Sequence, residues 1–224
     1  MKEILLAPNF LFRYAAPCAF RDLKWSTGGV ELPDACLLPS FGELEGRRLF
    51  AEVCVAWNES GLFVTVRVRG KKQLPWCRAT RVEDSDGLQL WIATRETQGI
   101  HRANRFCHRM AFLPFGQGTR LDQPVATTVA IARAREHPKP IPADQFGIHS
   151  EKRIDGYLLH VWIPADALTG FDVSETTSLG FSYAVIDREL GWQTFSIAPE
   201  FPFVSDPSLW GLLELQPKTT RPAR

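Results

Sequence analysis

The sequence predicts an all-β protein, specifically an antiparallel β-sandwich of jelly-roll type with little helix. Short runs in which apolar side chains alternate with others recur at intervals of roughly ten to twenty residues. Turn-forming residues separate these runs, and only residues 164–168 have the composition of a single helical turn. Many short strands with almost no helix are typical of two packed antiparallel sheets.

The first clear pattern is a β-hairpin. Apolar residues alternate with others over residues 51–57 and again over 62–68, and the turn formers of residues 58–61 join the two runs. The opposite face of the second strand carries Phe63, Thr65, Arg67 and Arg69. This mixture suits water or a ligand more than a core.

The remaining elements follow in order. Further strands are predicted over residues 88–92, 105–113, 125–131, 146–152, 157–163, 179–185, 192–197 and 209–215. Residues 71–86 are polar and turn-rich, which predicts a long loop. In the turn at residues 187–191, Asp187 supplies a side-chain cap and Gly191 a permissive backbone, so the two flanking strands are predicted to be antiparallel.

The domain organisation follows from these elements. Residues 1–50 are predicted to be an irregular segment that wraps the sandwich, residues 51–216 its core, and residues 217–224 a disordered tail. No repeat or linker divides the chain, and a hydrophobic fraction of 45% in 224 residues is ample for one core.

Composition excludes several classes of protein. A net charge of +1 and a pI near 7.7 argue against a partner bound mainly through phosphates, whether nucleic acid or membrane surface. Pro8, Asn9 and Arg13 interrupt the apolar start before a secretory signal is complete, which favours a cytoplasmic location. The five cysteines are odd in number and lack a CxxC motif, which favours reduced thiols.

Three segments together resemble the family-nine carbohydrate-binding modules and their DOMON-like relatives. The first is AEVCVAW with the following turn and strand, residues 51–68. The second is the acidic turn and strand DSDGLQLWI, residues 84–92. The third combines residues 155–164, residues 179–187 and SDPSLWG at residues 205–211.

The resemblance implies a jelly-roll β-sandwich that binds sugars without catalysis, sometimes with a structural calcium ion. The chain has Gly70, Lys71 and Lys72 where the family commonly has an acidic residue, and Phe201 and Phe203 near the place of a frequent tryptophan. These departures support an alternative, a structural or protein-interaction sandwich that has lost sugar binding.

A sugar site requires aromatic rings for stacking and charged or amide side chains for hydrogen bonds. The candidates for such a site are Trp76, Trp91, Arg105, Arg109, Asp187, Glu189, Trp192 and Phe203. A competing interpretation is that Trp91 and Trp192 pack under loops and that the charged residues form a solvated turn. Trp76, in a polar loop, is the least explained by packing.

Metal and catalytic sites are less well supported. Cys107 and His108 are adjacent on a predicted strand and point to opposite faces, so no metal site is predicted. A haem is not predicted either, because His108 is too close to Met110 for the two to be its axial ligands. His108 is predicted to be a hydrogen-bonded core residue. The carboxylate pairs Asp84 with Asp86, Asp187 with Glu189, and Glu200 with Asp206 all fall in predicted turns. A glycoside-active enzyme is therefore the third hypothesis, after the binding module and the interaction domain.

Overall fold

The computed structural model describes residues 13–42 and 46–218. Its strands are β1 Ala15–Phe20, β2 Ala51–Asn58, β3 Gly61–Arg69, β4 Gly87–Ala93, β5 Cys107–Gln117, β6 Gln123–Thr128, β7 Gly147–Arg153, β8 Gly156–Pro164, β9 Ser178–Asp187, β10 Gly191–Thr194 and β11 Gly211–Leu215. Single turns of 3-10 helix occur at Asp34–Cys36, Val82–Asp84, Ala143–Gln145, Ala165–Ala167 and Pro207–Leu209. The prediction of an all-β fold with little helix is confirmed.

The strands form two facing halves that share β1. The order is β6-β5-β4-β9-β11-β1-β2-β3-β8-β7, with β10 paired to β9. We call β6, β5, β4, β9, β10 and β11 the front sheet, and β2, β3, β8 and β7 the back sheet. The outermost strands β6 and β7 also approach each other, with Cα atoms within 8 Å, so the sheet is nearly closed on itself.

Strand β1 is a feature that the sequence pattern did not indicate. It pairs in parallel with β11 on one side and with β2 on the other, whereas the other strand pairs are antiparallel. Ala16 and Cys18 are fully buried, so a short run of small residues joins the two sheets. Residues 1–12 and 43–45 of the predicted N-terminal segment, and residues 219–224 of the predicted tail, lie outside the described residues.

The main core lies between the two sheets. On β4 and β9 the alternation divides the side chains: Leu88, Leu90, Tyr183 and Val185 face this core, while Trp91 faces outward. The outer face of the front sheet is covered in turn by residues 197–210, which form a second apolar cluster with Trp91. Outward-facing positions of β4 and β9, such as Trp91 and Ile186, are therefore buried as well.

Several residues that carry chemistry elsewhere are structural here. His108 is fully buried in the core, and its Nε2 accepts a hydrogen bond of 3.0 Å from the Thr169 backbone N–H, which confirms the prediction of a core histidine. The five cysteines are buried free thiols, and burial raises the pKa of Cys18 to about 12. The described residues include no helix long and apolar enough to cross a bilayer.

Candidate functional site

A buried ion cluster lies where β4 begins and β9 ends. Gly87 pairs with Ile186 across these strands, so Asp86 and Asp187 face each other at the next position. Lys71, just after β3, places its Nζ 3.0 Å from Asp86 Oδ2 and 2.5 Å from Asp187 Oδ2. The three side chains are only 2%, 1% and 0% exposed. One ammonium group thus separates two carboxylates that would otherwise repel each other.

The charge state of Lys71 follows from its partners. Burial alone would lower the pKa of Lys71, but hydrogen bonds to Asp187 and Asp86, and the charges of both, raise the pKa above its ordinary value. The side chain therefore stays protonated at neutral pH, and the cluster retains its ion pairs.

The same two carboxylates fix the loops above them. Asp86 accepts the backbone N–H of Trp76 at 3.0 Å through Oδ2 and that of Arg188 at 2.9 Å through Oδ1. Asp187 Oδ1 caps the turn at residues 187–191 by accepting the N–H groups of Glu189 and Leu190, both at 2.9 Å. Gly191 closes that turn with φ of +97°, a conformation that favours glycine. The predicted cap and permissive glycine are both confirmed.

Glu189 links the turn to the loop of residues 71–76. Its carboxylate accepts the backbone N–H groups of Lys72, at 3.0 and 3.1 Å, and of Gln73, at 3.0 Å. These hydrogen bonds lower the pKa of Glu189, so its carboxylate stays ionised at neutral pH. A polar segment without strand or helix is thereby held in one position.

Two tryptophans border this turn. The Arg188 guanidinium lies over the half-buried Trp76, with Cζ 4.4 Å from the ring centroid. Trp192, on β10, pairs with Ile186 and is 40% exposed. We define the hairpin-turn site as Trp76, Arg188, Glu189 and Trp192, resting on the buried cluster of Lys71, Asp86 and Asp187. Four of the predicted site residues, Trp76, Asp187, Glu189 and Trp192, therefore lie in this turn or beside it.

Trp91, Phe203 and Arg109 form a separate group on the outer face of the front sheet. Trp91 and Phe203 are fully buried, their ring centroids are 5.1 Å apart, and Trp91 Nε1 donates to the Val204 carbonyl at 3.2 Å. The prediction had these rings contact a ligand, but neither ring presents a face to solvent. The reason is that residues 197–210 fold back over this side of the sheet.

The Arg109 guanidinium is also fully engaged with other side chains of the protein. Its guanidinium donates to Gln89 Oε1 at 2.7 Å, pairs with Glu83 Oε1 at 2.8 Å and lies 5.3 Å from the Trp91 ring centroid. Burial lowers the pKa of Arg109, while the Glu83 carboxylate opposes this change. Arg109 is only 5% exposed, so it supports the outer cluster.

Arg105 lies at the other end of the front sheet. It is exposed and its Cζ is 5.0 Å from the Phe106 ring centroid, just before β5 begins opposite Ala93. The hairpin-turn site adjoins Gly87, the opposite end of β4, which at about 3.3 Å per residue is roughly 20 Å away. The structure does not bring Arg105 to the other candidates.

The remaining carboxylates have structural partners. Asp84 pairs with Arg81 at 2.6 Å, Glu200 pairs with Arg47 at 2.8 Å, and Asp206 accepts the Ser208 N–H at 3.0 Å. Each of these carboxylates is thus already bound to another group of the protein.

A calcium ion is implied by the resemblance, and the residues present do not fit one. The carboxylates of Asp86, Asp187 and Glu189 converge on a cation position, but the Lys71 ammonium occupies it, with Glu189 Oε2 at 3.9 Å. No group of three His, Cys, Asp or Glu side chains within residues 13–42 and 46–218 is arranged to hold a metal ion.

A cavity of about 680 Å³ lies on the back sheet, and its lining includes Gly70, the residue before Lys71. Its walls include Arg67 and Arg69, which the sequence assigned to water or a ligand. Both arginines form ion pairs, Arg67 with Glu31 at 3.0 Å and Arg69 with Glu52 at 3.5 Å. The described wall contains no tryptophan, so the cavity lacks the stacking surface that a sugar needs.

Sequence reasoning missed Lys71, Asp86 as an anchor, and Arg188. A signal for the cluster was present: the residues before β4 and at the end of β9 are both aspartates, and pairing of these strands places them opposite each other. Two carboxylates in that relation require a cation. The sequence does not show which residue supplies this cation, because Lys71 lies in a different part of the chain, in the loop after β3.

Comparison with known proteins gives matches at the level of structure. No family model matches the sequence, and no curated protein matches it. A family 9 carbohydrate-binding module from Caldicellulosiruptor kristjanssonii, solved in complex with glucose and in complex with cellotriose, superposes with a TM-score of 0.62 in both cases. Each match covers 94% of this chain and 100% of the other, at 13% identity.

A further match is a candidate carbohydrate-binding protein from Bacteroides uniformis, with a TM-score of 0.54 and 11% identity over 91% of this chain and 98% of that one. At such identities the likeness concerns the fold, and it extends over nearly the whole chain. The fold that the sequence resemblance predicted is confirmed: this chain has the fold of the family 9 carbohydrate-binding modules.

Proposed function

We propose that the protein is a non-catalytic carbohydrate-binding module that holds a saccharide at the hairpin-turn site. The observation that carries this proposal is the position of Trp76 and Trp192 beside one anchored turn. Tryptophan rings are the usual surface for the C–H face of a sugar, and a rigid turn reduces the entropy lost on binding. Structures with the same fold contain glucose and cellotriose, which agrees with this ligand class.

Polar groups of the site complement the rings. The Arg188 guanidinium, which lies over the Trp76 ring, offers N–H donors, and the Glu189 carboxylate lies on the same turn. Arginine and carboxylate side chains form paired hydrogen bonds to neighbouring sugar hydroxyls.

The lack of catalysis in this proposal rests on the state of the carboxylates. A glycosidase needs two carboxyl groups facing the same bond with different proton affinities. Asp86 and Asp187 instead share Lys71 and are buried, and Glu189 is used by backbone N–H groups. These side chains hold the turn in place.

Replacement of the tryptophans tests the proposal. We expect Trp192→Ala and Trp76→Ala each to weaken binding of the best saccharide in a panel that includes glucose and cellotriose by about tenfold or more. Isothermal titration calorimetry measures the affinity, and circular dichroism checks the fold of each variant.

Ile154→Ala is the control, because this side chain is an exposed apolar group in the turn between β7 and β8. The affinity of this variant for the saccharide should equal that of the unchanged protein. Absence of binding to every saccharide at millimolar concentration would reject the proposal and favour the protein-interaction alternative. Binding that survives both tryptophan substitutions would place the sugar elsewhere on the molecule.

A further inference from the structure

Arg188 has an arrangement that favours a negatively charged ligand. Its backbone N–H is fixed by Asp86, and its guanidinium is stacked on Trp76 at 4.4 Å. Stacking on a ring leaves the N–H groups at the edge of the guanidinium plane directed away from the ring. Those groups have the fork geometry that matches both oxygens of a carboxylate.

Two further guanidinium groups surround the same ring. The Cζ atoms of Arg78 and Arg81 lie 5.4 and 5.7 Å from the Trp76 centroid. Arg81 is neutralised by Asp84, whereas the Arg78 guanidinium donates to the Cys77 carbonyl, at 2.9 Å. Three arginines beside one indole form a concentrated set of donors at the protein surface.

Arg188 and Arg78 differ from many other arginines of the chain. Arg13, Arg47, Arg67, Arg109 and Arg153 each pair with a glutamate within 4.0 Å. Within the described residues, neither Arg188 nor Arg78 has a carboxylate partner at that distance. The neighbouring Glu189 does not fill this role, because its oxygens accept the N–H groups of Lys72 and Gln73.

We propose that the hairpin-turn site selects saccharides that carry a carboxylate, the uronic acids, with Arg188 and Arg78 binding that carboxylate. This inference rests on the proposed function and specifies its ligand class. In this arrangement the carboxylate of the sugar pairs with the guanidinium edges, and the pyranose ring lies against Trp192, the exposed tryptophan of the site. The planar carboxylate pairs with planar guanidinium groups through two parallel hydrogen bonds.

The test compares a charged and a neutral trisaccharide, trigalacturonate and cellotriose, by calorimetry at low and at near-physiological salt. We expect trigalacturonate to bind about tenfold more tightly than cellotriose at low salt, and this preference to shrink as salt rises. Arg188→Gln should remove most of the preference, and Arg188→Lys should restore part of it because the charge returns without the fork.

Arg105→Gln is the matched control, since Arg105 is also exposed and also lies over an aromatic ring, at 5.0 Å from Phe106. It should leave both affinities unchanged. Equal binding of the two sugars, or a preference that survives Arg188→Gln in a folded variant, overturns the inference while the proposed function stands. If neither sugar nor any other saccharide binds, the proposed function itself fails.

Discussion

At the scale of single residues, Lys71 is the side chain on which the stability of the turn and its loops depends most. It neutralises two buried aspartates, and those aspartates hold the backbone of Trp76, Arg188 and the turn. Lys71→Met keeps the length of the side chain but leaves Asp86 and Asp187 without a cation. We expect a loss of about 3 to 5 kcal/mol in the free energy of unfolding, measured by urea denaturation.

Lys72→Met provides the comparison, because the adjacent lysine is exposed and forms no ion pair within the described chain. Its unfolding free energy should change by less than about 0.5 kcal/mol. Similar losses in the two variants would contradict the role assigned to the buried cluster.

His108 gives the protein a dependence on pH. Burial lowers the pKa of His108 to about 4 from an ordinary value of 6.5, against the opposing effect of the Thr169 hydrogen bond. Because the folded-state pKa is the lower one, the unfolded chain takes up the proton first as pH falls. The contribution of neutral His108 to the free energy of unfolding is therefore fully present above about pH 6.5 and is lost as pH falls toward 4. The loss is about 2 kcal/mol between pH 7 and pH 5.

The variant His108→Gln keeps an acceptor for the Thr169 N–H and removes the titrating group. Its free energy of unfolding should fall less between pH 7 and pH 5 than that of the unchanged protein, by about 2 kcal/mol. Burial also lowers the pKa of His160, so the variant retains some acid sensitivity. Parallel pH profiles for the two proteins would refute the assignment.

At the scale of elements, β1 decides whether the two sheets act as one body. Ala16 is fully buried between them, and Pro17, the next residue, points to solvent. Ala16→Glu places an unpaired carboxylate in the core, and we expect a loss of more than about 3 kcal/mol in urea unfolding. Pro17→Glu adds the same charge on the exposed side and should change stability by about 1 kcal/mol or less. A mild effect of Ala16→Glu would argue against a joining role.

The sequence shows why some elements were predictable and β1 was not. Strands β2, β3, β8 and β9 have one face on the core and show the period of two, so alternation located them. Strand β1 has the sequence AAPCAF, with small residues and a proline, and gives no such contrast. Its parallel partners are supplied by distant parts of the chain, which a local pattern does not report.

The candidate site divides in a similar way. The turn chemistry of Asp187 and Gly191 was readable from the sequence because it is local. The burial of Trp91 and Phe203 was not, since residues 197–210 cover a face that alternation alone would leave exposed. Lys71 was missed because its partners are not local: they lie 15 and 116 positions further along the chain.

At the scale of the whole molecule, the arrangement predicts one cooperative unfolding transition. The main core contains side chains from both sheets, and the buried cluster ties the connection after β3 to the front sheet. We therefore expect tryptophan fluorescence and far-UV circular dichroism to report the same urea midpoint. Two separated midpoints would show that the sheets unfold independently.

The parallel pairing of β1 has a consequence for how the chain is made. Strand β1 precedes the other described strands in synthesis, yet one of its two edges is completed only by β11, the last of them. During translation that edge keeps its N–H and C=O groups without strand partners, which is the condition that invites pairing with other chains. Native folding can finish only after Gly211–Leu215 has left the ribosome, so the first of the described strands is among the last to gain both of its partners.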